Sequence, residues 1–413
     1  MVELDTGPDV VESSVAATRR AWLVMGGREQ AAAIGCALRE GGWQVDASVH
    51  TLAAVHTLLG SGLPPPQVIV SGVRFDDGDA MRLIRLLTRR QLGPALFFAS
   101  HQQRAVIKAA AAMAAACGVP VAGVAEQPVD PAAIAKALAG HVTVSPPPKR
   151  RIAPPLERAE LFELIGRGAL HPWLQPKLRL ATGEVTGFEA LLRAHDAEGR
   201  LVMPDRLVGA LSQHGLLDQA TLQMARQTVD FVATCLGDGL AVSASINVSM
   251  QSLSSLAFCQ ELEHTVASAG LDPSWITIEI TETDAMADLA TVIENTARIR
   301  MLGFNLSIDD FGTAYSSLMQ LSQIPFSELK IERNFVAGIA GDPVRQAIVR
   351  SCAELGAALG LHVVAEGVET RDEMACVQRL GCSHVQGYLA SRPLPAQVAL
   401  QWLRELPQGR LVL

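Results

Sequence analysis

Upstream of residue 145, short apolar runs alternate with amphipathic stretches. AWLVM is followed by REQAAAIGCALREGG, PQVIVSGV, GDAMRLIRLLTRR, ALFFAS, an alanine-rich helix after Ala109, VAGVA and PAAIAKALAG. Strands alternating with helices of this length predict a parallel sheet with helices on both faces, a doubly wound α/β domain over residues 19–144. SPPPKRRIAPP, with five prolines beside a basic cluster, cannot pack as the interior of a helix or strand, so residues 145–157 form the linker. The first 18 residues carry acids where a signal peptide needs positive charge, and they predict a flexible tail.

From residue 158 onward, apolar and β-branched runs recur, and nearly every one ends on a residue able to hold a metal or move a proton. TGFEALLR offers Glu189, LAVSASINVS offers Asn247, WITIEITE offers Glu279, and FNLSIDDFG offers Asp309 with Asp310. SELKIE then offers Lys330, HVVAEGVET offers Glu366 and Glu369, and SHVQGY offers Gln386. Asn247 to Glu279 is 32 residues, Glu279 to Asp309 is 30 and Lys330 to Glu366 is 36, each close to one βαβ unit. A strand–helix repeat of this length over residues 158–413 closes most simply into a parallel (β/α)8 barrel. Functional groups then gather at the carboxyl ends of the strands.

Composition narrows the chemistry. A chain of 413 residues with 49% hydrophobic content can build two packed cores. A net charge of −8 without a long basic block excludes a groove for nucleic-acid polymers built on bulk electrostatics. The seven cysteines are scattered without a CxxC pair, which points to reduced thiols in a cytoplasm and away from zinc. The apolar run from Ala109 to Ala125 is broken by Gly118 and Pro120 and is too short for a membrane span.

Adjacent carboxylates need an explanation. Two of them about 4 Å apart repel by roughly 4 kcal/mol at an effective dielectric near 20, so an ionised cluster this dense requires cations. Carboxylates with one amide and no Cys or His select magnesium or manganese. Asp309 and Asp310 suit two ions, the arrangement that activates water for in-line phosphoryl displacement. The DFG triplet at Asp310–Gly312 is not that of a protein kinase, because no Gly-rich loop, VAIK-type lysine or HRD precedes it.

GFEALLR, INVS, IEITE, IDDFGTAYSSL, LKIE, VVAEGVET and VQGY, in that order over residues 158–413, resemble the EAL-domain phosphodiesterases, which hydrolyse cyclic di-GMP to linear 5'-pGpG. The resemblance implies a modified TIM-type barrel with one antiparallel strand. It further implies Glu189, Asn247, Glu279 and Asp309 as ligands of one metal, with Asp309 shared and Asp310 serving a second. Lys330 and Glu366 would orient and deprotonate the bridging water. Gln175, from LQPK, and Arg193, from EALLR, would meet guanine and phosphate, and Gln386 would lie near the water. Glu282 would brace the loop Phe311–Ser317, which in the family links metal binding to pairing of two subunits, so a homodimer or higher homo-oligomer is expected. An alternative is a catalytically weak or inactive EAL domain that senses cyclic di-GMP or binds a protein.

Three positions depart from the family pattern: Ala314 replaces a glycine, Glu332 an aspartate and Ala194 a tryptophan. If position 314 requires a positive φ, alanine strains it by roughly 1 kcal/mol.

The N-terminal domain resembles a response-regulator receiver, which is flavodoxin-like, by pattern only. Receivers need an acidic pair after the first strand, an aspartate after the third and a lysine after the fifth. Here stand Gly26 and Gly27, then Gly72, then Gln127, so phosphoryl transfer has neither nucleophile nor cation site. Asp76, Asp77 and Asp79 read as a solvated acidic loop.

Overall fold

The computed structural model describes residues 19–90, 92–100, 102, 104–125, 130–139, 156–196, 199–285, 288–313 and 318–411. The chain forms two compact units, Met1–Ala153 and Pro154–Leu413. The predicted tail, most of the linker, Gln127 and Ala314 lie outside the described residues.

The first unit runs β1 (Arg19–Val24), α1 (Arg28–Glu40), β2 (Trp43–Val49), α2 (Leu52–Gly60), β3 (Val68–Ser71), α3 (Ala80–Arg89), β4 (Ala95–Ala99), α4 (Arg104–Ala116), β5 (Val121–Ala125) and α5 (Pro131–Ala139). The strands pair in the order β2-β1-β3-β4-β5, all parallel. Strand alternation separates two cores. Trp22, Val24, Ile69 and Phe98 pack on the side of α2, α3 and α4, while Ala21, Leu23, Val70 and Phe97 pack on the side of α1 and α5. Each large side chain buried there is worth about 1.5–3 kcal/mol.

Sequence patterning misses β2 and α2. β2 is an edge strand in which Gln44, Asp46 and Ser48 interrupt the apolar positions, so it lacks the continuous run that marks a buried strand. An ion pair of 2.7 Å between Arg20 and Asp46 ties it to β1. The loop aspartates are not merely solvated: Asp77 accepts hydrogen bonds from the amides of Leu52 and Ala53, and Asp79 caps α3 by accepting from the amide of Arg82. At the end of β1 a side chain on Gly26 would place its Cβ 3.0 Å from the Arg74 carbonyl oxygen, so the acid that a receiver carries there would crowd the backbone after β3.

The second unit contains β6 (Leu170–Arg179), β7 (Val185–His195), β8 (Ser243–Asn247), β9 (Ile276–Thr281), β10 (Asn305–Phe311), β11 (Glu328–Ile331), β12 (His362–Ala365) and β13 (His384–Gln386). From β7 to β13 every neighbouring pair is parallel. β6 runs antiparallel to both β7 and β13 and closes the barrel between them. Outward-facing Phe188, Ile246, Ile278, Ile308, Leu329 and Val385 join the apolar core under the surrounding helices. The residue after each of these turns inward, and those inward positions are polar. No helix among the described residues is long and apolar enough to cross a membrane.

Candidate active site

Each barrel strand delivers one side chain to a common ring. The contributors are Gln175 from β6, Glu189 from β7, Asn247 from β8, Glu279 from β9, Asp309 from β10, Lys330 from β11, Glu366 just past β12 and Gln386 from β13. At the centre lies Lys330, 1% exposed. Its Nζ is 3.3 Å from Glu189, 3.0 Å from Glu279, 3.1 Å from Asp309 and 2.8 Å from Glu366. Glu189 also accepts hydrogen bonds from Asn247 Nδ2 at 3.1 Å and Gln386 Nε2 at 2.6 Å. Gln386 in turn donates to Gln175 Oε1 at 3.2 Å.

One ammonium cannot neutralise this ring. Burial disfavours the charged Lys330, but Asp309, Glu189, Glu279 and Glu366 together hold its pKa well above the lysine range. Burial opposes ionisation of Glu189 as well, yet Lys330 and the amides of Gln386 and Asn247 keep it below the usual carboxylate value. The remaining acids go the other way. Burial first, then Glu189 and Asp309, push Glu279 up to about 8; burial and Asp309 push Asp310 up to about 6; Glu366 is raised well above its ordinary value by burial and the neighbouring carboxylates. Glu279 Oε1 is buried without a hydrogen-bond partner.

Hard oxygen donors, excess negative charge and an orphaned carboxylate oxygen are the chemistry that divalent cations complete. Carboxylate oxygens of Glu189, Glu279 and Asp309 lie within 4.8 Å of one another, as do those of Asp309, Asp310 and Glu366, so Asp309 belongs to both groups.

Consecutive residues of a regular strand face opposite sides, so Asp309 and Asp310 should diverge. The backbone prevents this. Register with β11 slips between Ile308 and Phe311, and Asp310 takes φ +55°, in the left-handed region that aspartate tolerates better than most residues. The Asp310 amide donates to Asp309 Oδ1 at 3.0 Å, which fixes the turn. A bulge therefore places two neighbouring carboxylates on one side.

The other predicted residues lie around this ring. Glu282, 1% exposed, accepts from the amides of Gly312 at 2.9 Å and Thr313 at 2.8 Å. Glu369 pairs with Arg333 at 2.7 Å. Arg193 lies four residues beyond Glu189 on the same face of β7; its guanidinium donates to the Leu192 carbonyl and lies 5.9 Å from the Trp173 ring centre. A pocket of about 200 Å³ opens beside the ring, lined by Gln175, Glu189, Asp309, Arg333, Glu366 and Tyr388 among others.

Residues 158–393 match the EAL domain. The chain belongs to the EAL domain family. Among curated relatives, it is 36% identical over 247 residues to the cyclic di-GMP phosphodiesterase NbdA of Pseudomonas aeruginosa, covering 59% of this chain and 31% of that protein. It is 32% identical over 244 residues to the cyclic di-GMP phosphodiesterase RocR of the same organism, covering 59% and 62%. The chain thus spans less than two thirds of either relative. Among solved structures, the PaMucR phosphodiesterase in complex with c-di-GMP aligns with a TM-score of 0.56 at 33% identity, over 58% of this chain and 98% of that one.

Sequence reasoning overlooked Glu373, Arg333, Lys177 and Glu328. Glu373 accepts from the amides of Gly338, Glu369 and Thr370 and so anchors the turn after Glu366. Its signal was the capping box Thr370–Glu373. Lys177 and Glu328 stand two residues from Gln175 and Lys330, and strand alternation alone would have turned them into the barrel.

Proposed function

We propose that the barrel hydrolyses one phosphodiester bond of cyclic di-GMP to give linear 5'-pGpG. Glu189, Asn247, Glu279, Asp309 and Asp310 hold two divalent cations, magnesium or manganese. The observation that carries this reading is the ring of one donor per strand around Lys330, in a family whose named relatives act on this dinucleotide. When bound, such ions acidify a water molecule and offset charge on the phosphate.

The protein's own residues supply the remainder. Glu366 accepts the proton of the attacking water, and Lys330, 2.8 Å away, holds that carboxylate in place. The water oxygen bonds to phosphorus as the bond from phosphorus to O3' breaks, and solvent protonates the leaving oxygen. The fork of Arg193 suits bidentate contact with a phosphate, Gln175 suits a guanine edge, and Gln386 orients the water.

Purified protein incubated with cyclic di-GMP and magnesium or manganese chloride, followed by chromatography, is expected to yield pGpG. A chelator or Glu189→Ala should abolish the product. No product at high enzyme concentration, with cyclic di-GMP still bound, would favour the sensor instead.

The N-terminal unit, in this reading, is a receiver-like domain that is not phosphorylated and that tunes the barrel through pairing of two copies. Support comes from the strand order 2-1-3-4-5, the glycines at the strand ends and the engagement of Asp77 and Asp79 as helix caps. Exposure to acetyl phosphate or beryllofluoride should leave no stable adduct. Deleting residues 1–145 should change both rate and oligomer mass.

A further inference from the structure

Beneath the ring lies a second charged pair that the proposed reaction does not use. Lys177 Nζ meets Glu328 Oε2 at 2.5 Å, and Ser307 Oγ donates to the other carboxylate oxygen at 3.1 Å. Both charged side chains are 8% exposed. Glu328 and Lys330 are two residues apart on β11, so they share the inward face about 6.6 Å apart along the strand. That spacing is within the reach of a lysine side chain, so the Lys330 ammonium has two alternative sets of acids: the four carboxylates above, and Glu328 below.

We infer that Lys177 is a positioning residue: by pairing with Glu328 it keeps that carboxylate from drawing the Lys330 ammonium down and away from Glu366 and Asp309. Glu328 is buried, and leaving a buried carboxylate unpaired is costly, so the nearest other cation becomes its partner. His384, whose ring also acts on Glu328, does not serve. Burial, followed by Lys177 and His362, pushes its pKa down to about 4, and its Nδ1 is engaged with Ser383 Oγ at 2.9 Å. Burial opposes the charge of Glu328 too, but Lys177 holds its pKa below the ordinary carboxylate value, so Glu328 carries its charge. On the other parallel strands, the inward positions two residues before a ring member, Gly187, Ser245, Thr277 and Val364, are uncharged.

The inference rests on the hydrolytic reading for its kinetic arm alone; a second arm does not depend on activity. Lys177→Met should lower kcat by about 10–100-fold, as loss of a supporting partner does. Its crystal structure should show Lys330 Nζ within hydrogen-bond reach of Glu328 and withdrawn from Glu366. Adding Glu328→Gln removes the competing charge, so the double variant should recover most of kcat and return Lys330 to Glu366. Charge competition predicts that rescue, whereas a packing role does not. A single variant with unchanged kcat and an unmoved Lys330 overturns the inference, and so does a double variant as slow as the single. If the single variant does not fold, the double variant decides: kcat close to wild type supports the inference, and a tenfold fall or failure to fold overturns it. Wild-type protein without any hydrolysis would defeat the proposed function and leave the crystallographic arm intact.

Discussion

Lys330 and Glu366 reach each other from neighbouring strands with a 2.8 Å contact, although Lys330 sits in register with Val364, two residues earlier. The two-residue offset keeps Glu366 on the inward face, and the Glu366 amide, donating to the Ile331 carbonyl at 3.1 Å, fixes its backbone. The carboxylate is therefore held by an ammonium, as the proposed role of proton acceptor requires. Glu366→Gln should keep the shape and remove the base. The expected result is a fall in kcat of about 10²–10⁴-fold with cyclic di-GMP affinity, measured by calorimetry, largely retained. Intact turnover would assign the base elsewhere.

Asp310 tests the bulge. Asn tolerates positive φ, so Asp310→Asn should weaken manganese binding in a calorimetric titration and leave the melting temperature nearly unchanged. Asp310→Val forces a branched side chain into the same backbone and should cost about 1–2 kcal/mol in addition. Equal melting temperatures for the two variants would show that the left-handed backbone is not retained in solution.

Glu282 holds two amides of the turn after the paired aspartates. Hydrogen bonds to a charged group are worth about 1.5–3 kcal/mol each, and Glu282→Ala strands both donors. Hydrogen exchange at Gly312 and Thr313 should accelerate, and the melting temperature should fall. Unchanged protection at both amides contradicts the bracing role.

In the N-terminal unit, the amides of Leu52 and Ala53 hold the Asp77 pKa below the ordinary aspartate value of 3.8. A depressed carboxylate contributes stability that is fully present above its unfolded pKa and is lost as pH falls through the folded one. An NMR titration following the Leu52 and Ala53 amides should show a common midpoint below 3.8. Asp77→Asn should destabilise α2 at neutral pH and make little difference in strong acid. A midpoint at or above the ordinary value would remove Asp77 as the cap.

The barrel was legible because its strands end on chemically distinctive residues at βαβ intervals, and the family motifs fall in order along them. Glu189, Asn247, Glu279, Asp309, Lys330, Glu366 and Gln386 all reach one ring. Less visible was anything set by backbone geometry or by charge balance across the interior. Nothing in the letters Asp309-Asp310 signals a slipped register, because the left-handed turn depends on how β10 meets β11. Lys177 and Glu328 look like ordinary surface charges until the alternation that turns Gln175 and Lys330 inward is carried two residues along each strand. β2 went unread because Gln44, Asp46 and Ser48 break its apolar run and only Trp43 is buried, as suits a strand at the sheet edge.

Gathering one donor from every strand also fixes the order in which charge arrives during synthesis. Glu189, Glu279, Asp309 and Asp310 leave the ribosome before Lys330, and Gln386 follows some 200 residues after Glu189. From residue 189 until residue 330 the nascent barrel therefore carries these acids without the ammonium that pairs with them, and β13, the strand that must zip onto β6, comes last of the eight. Closure of the cylinder and assembly of its chemistry are thus one late event, and a chain cut short before residue 384 would keep almost all the donors and lose the enclosure that brings them together.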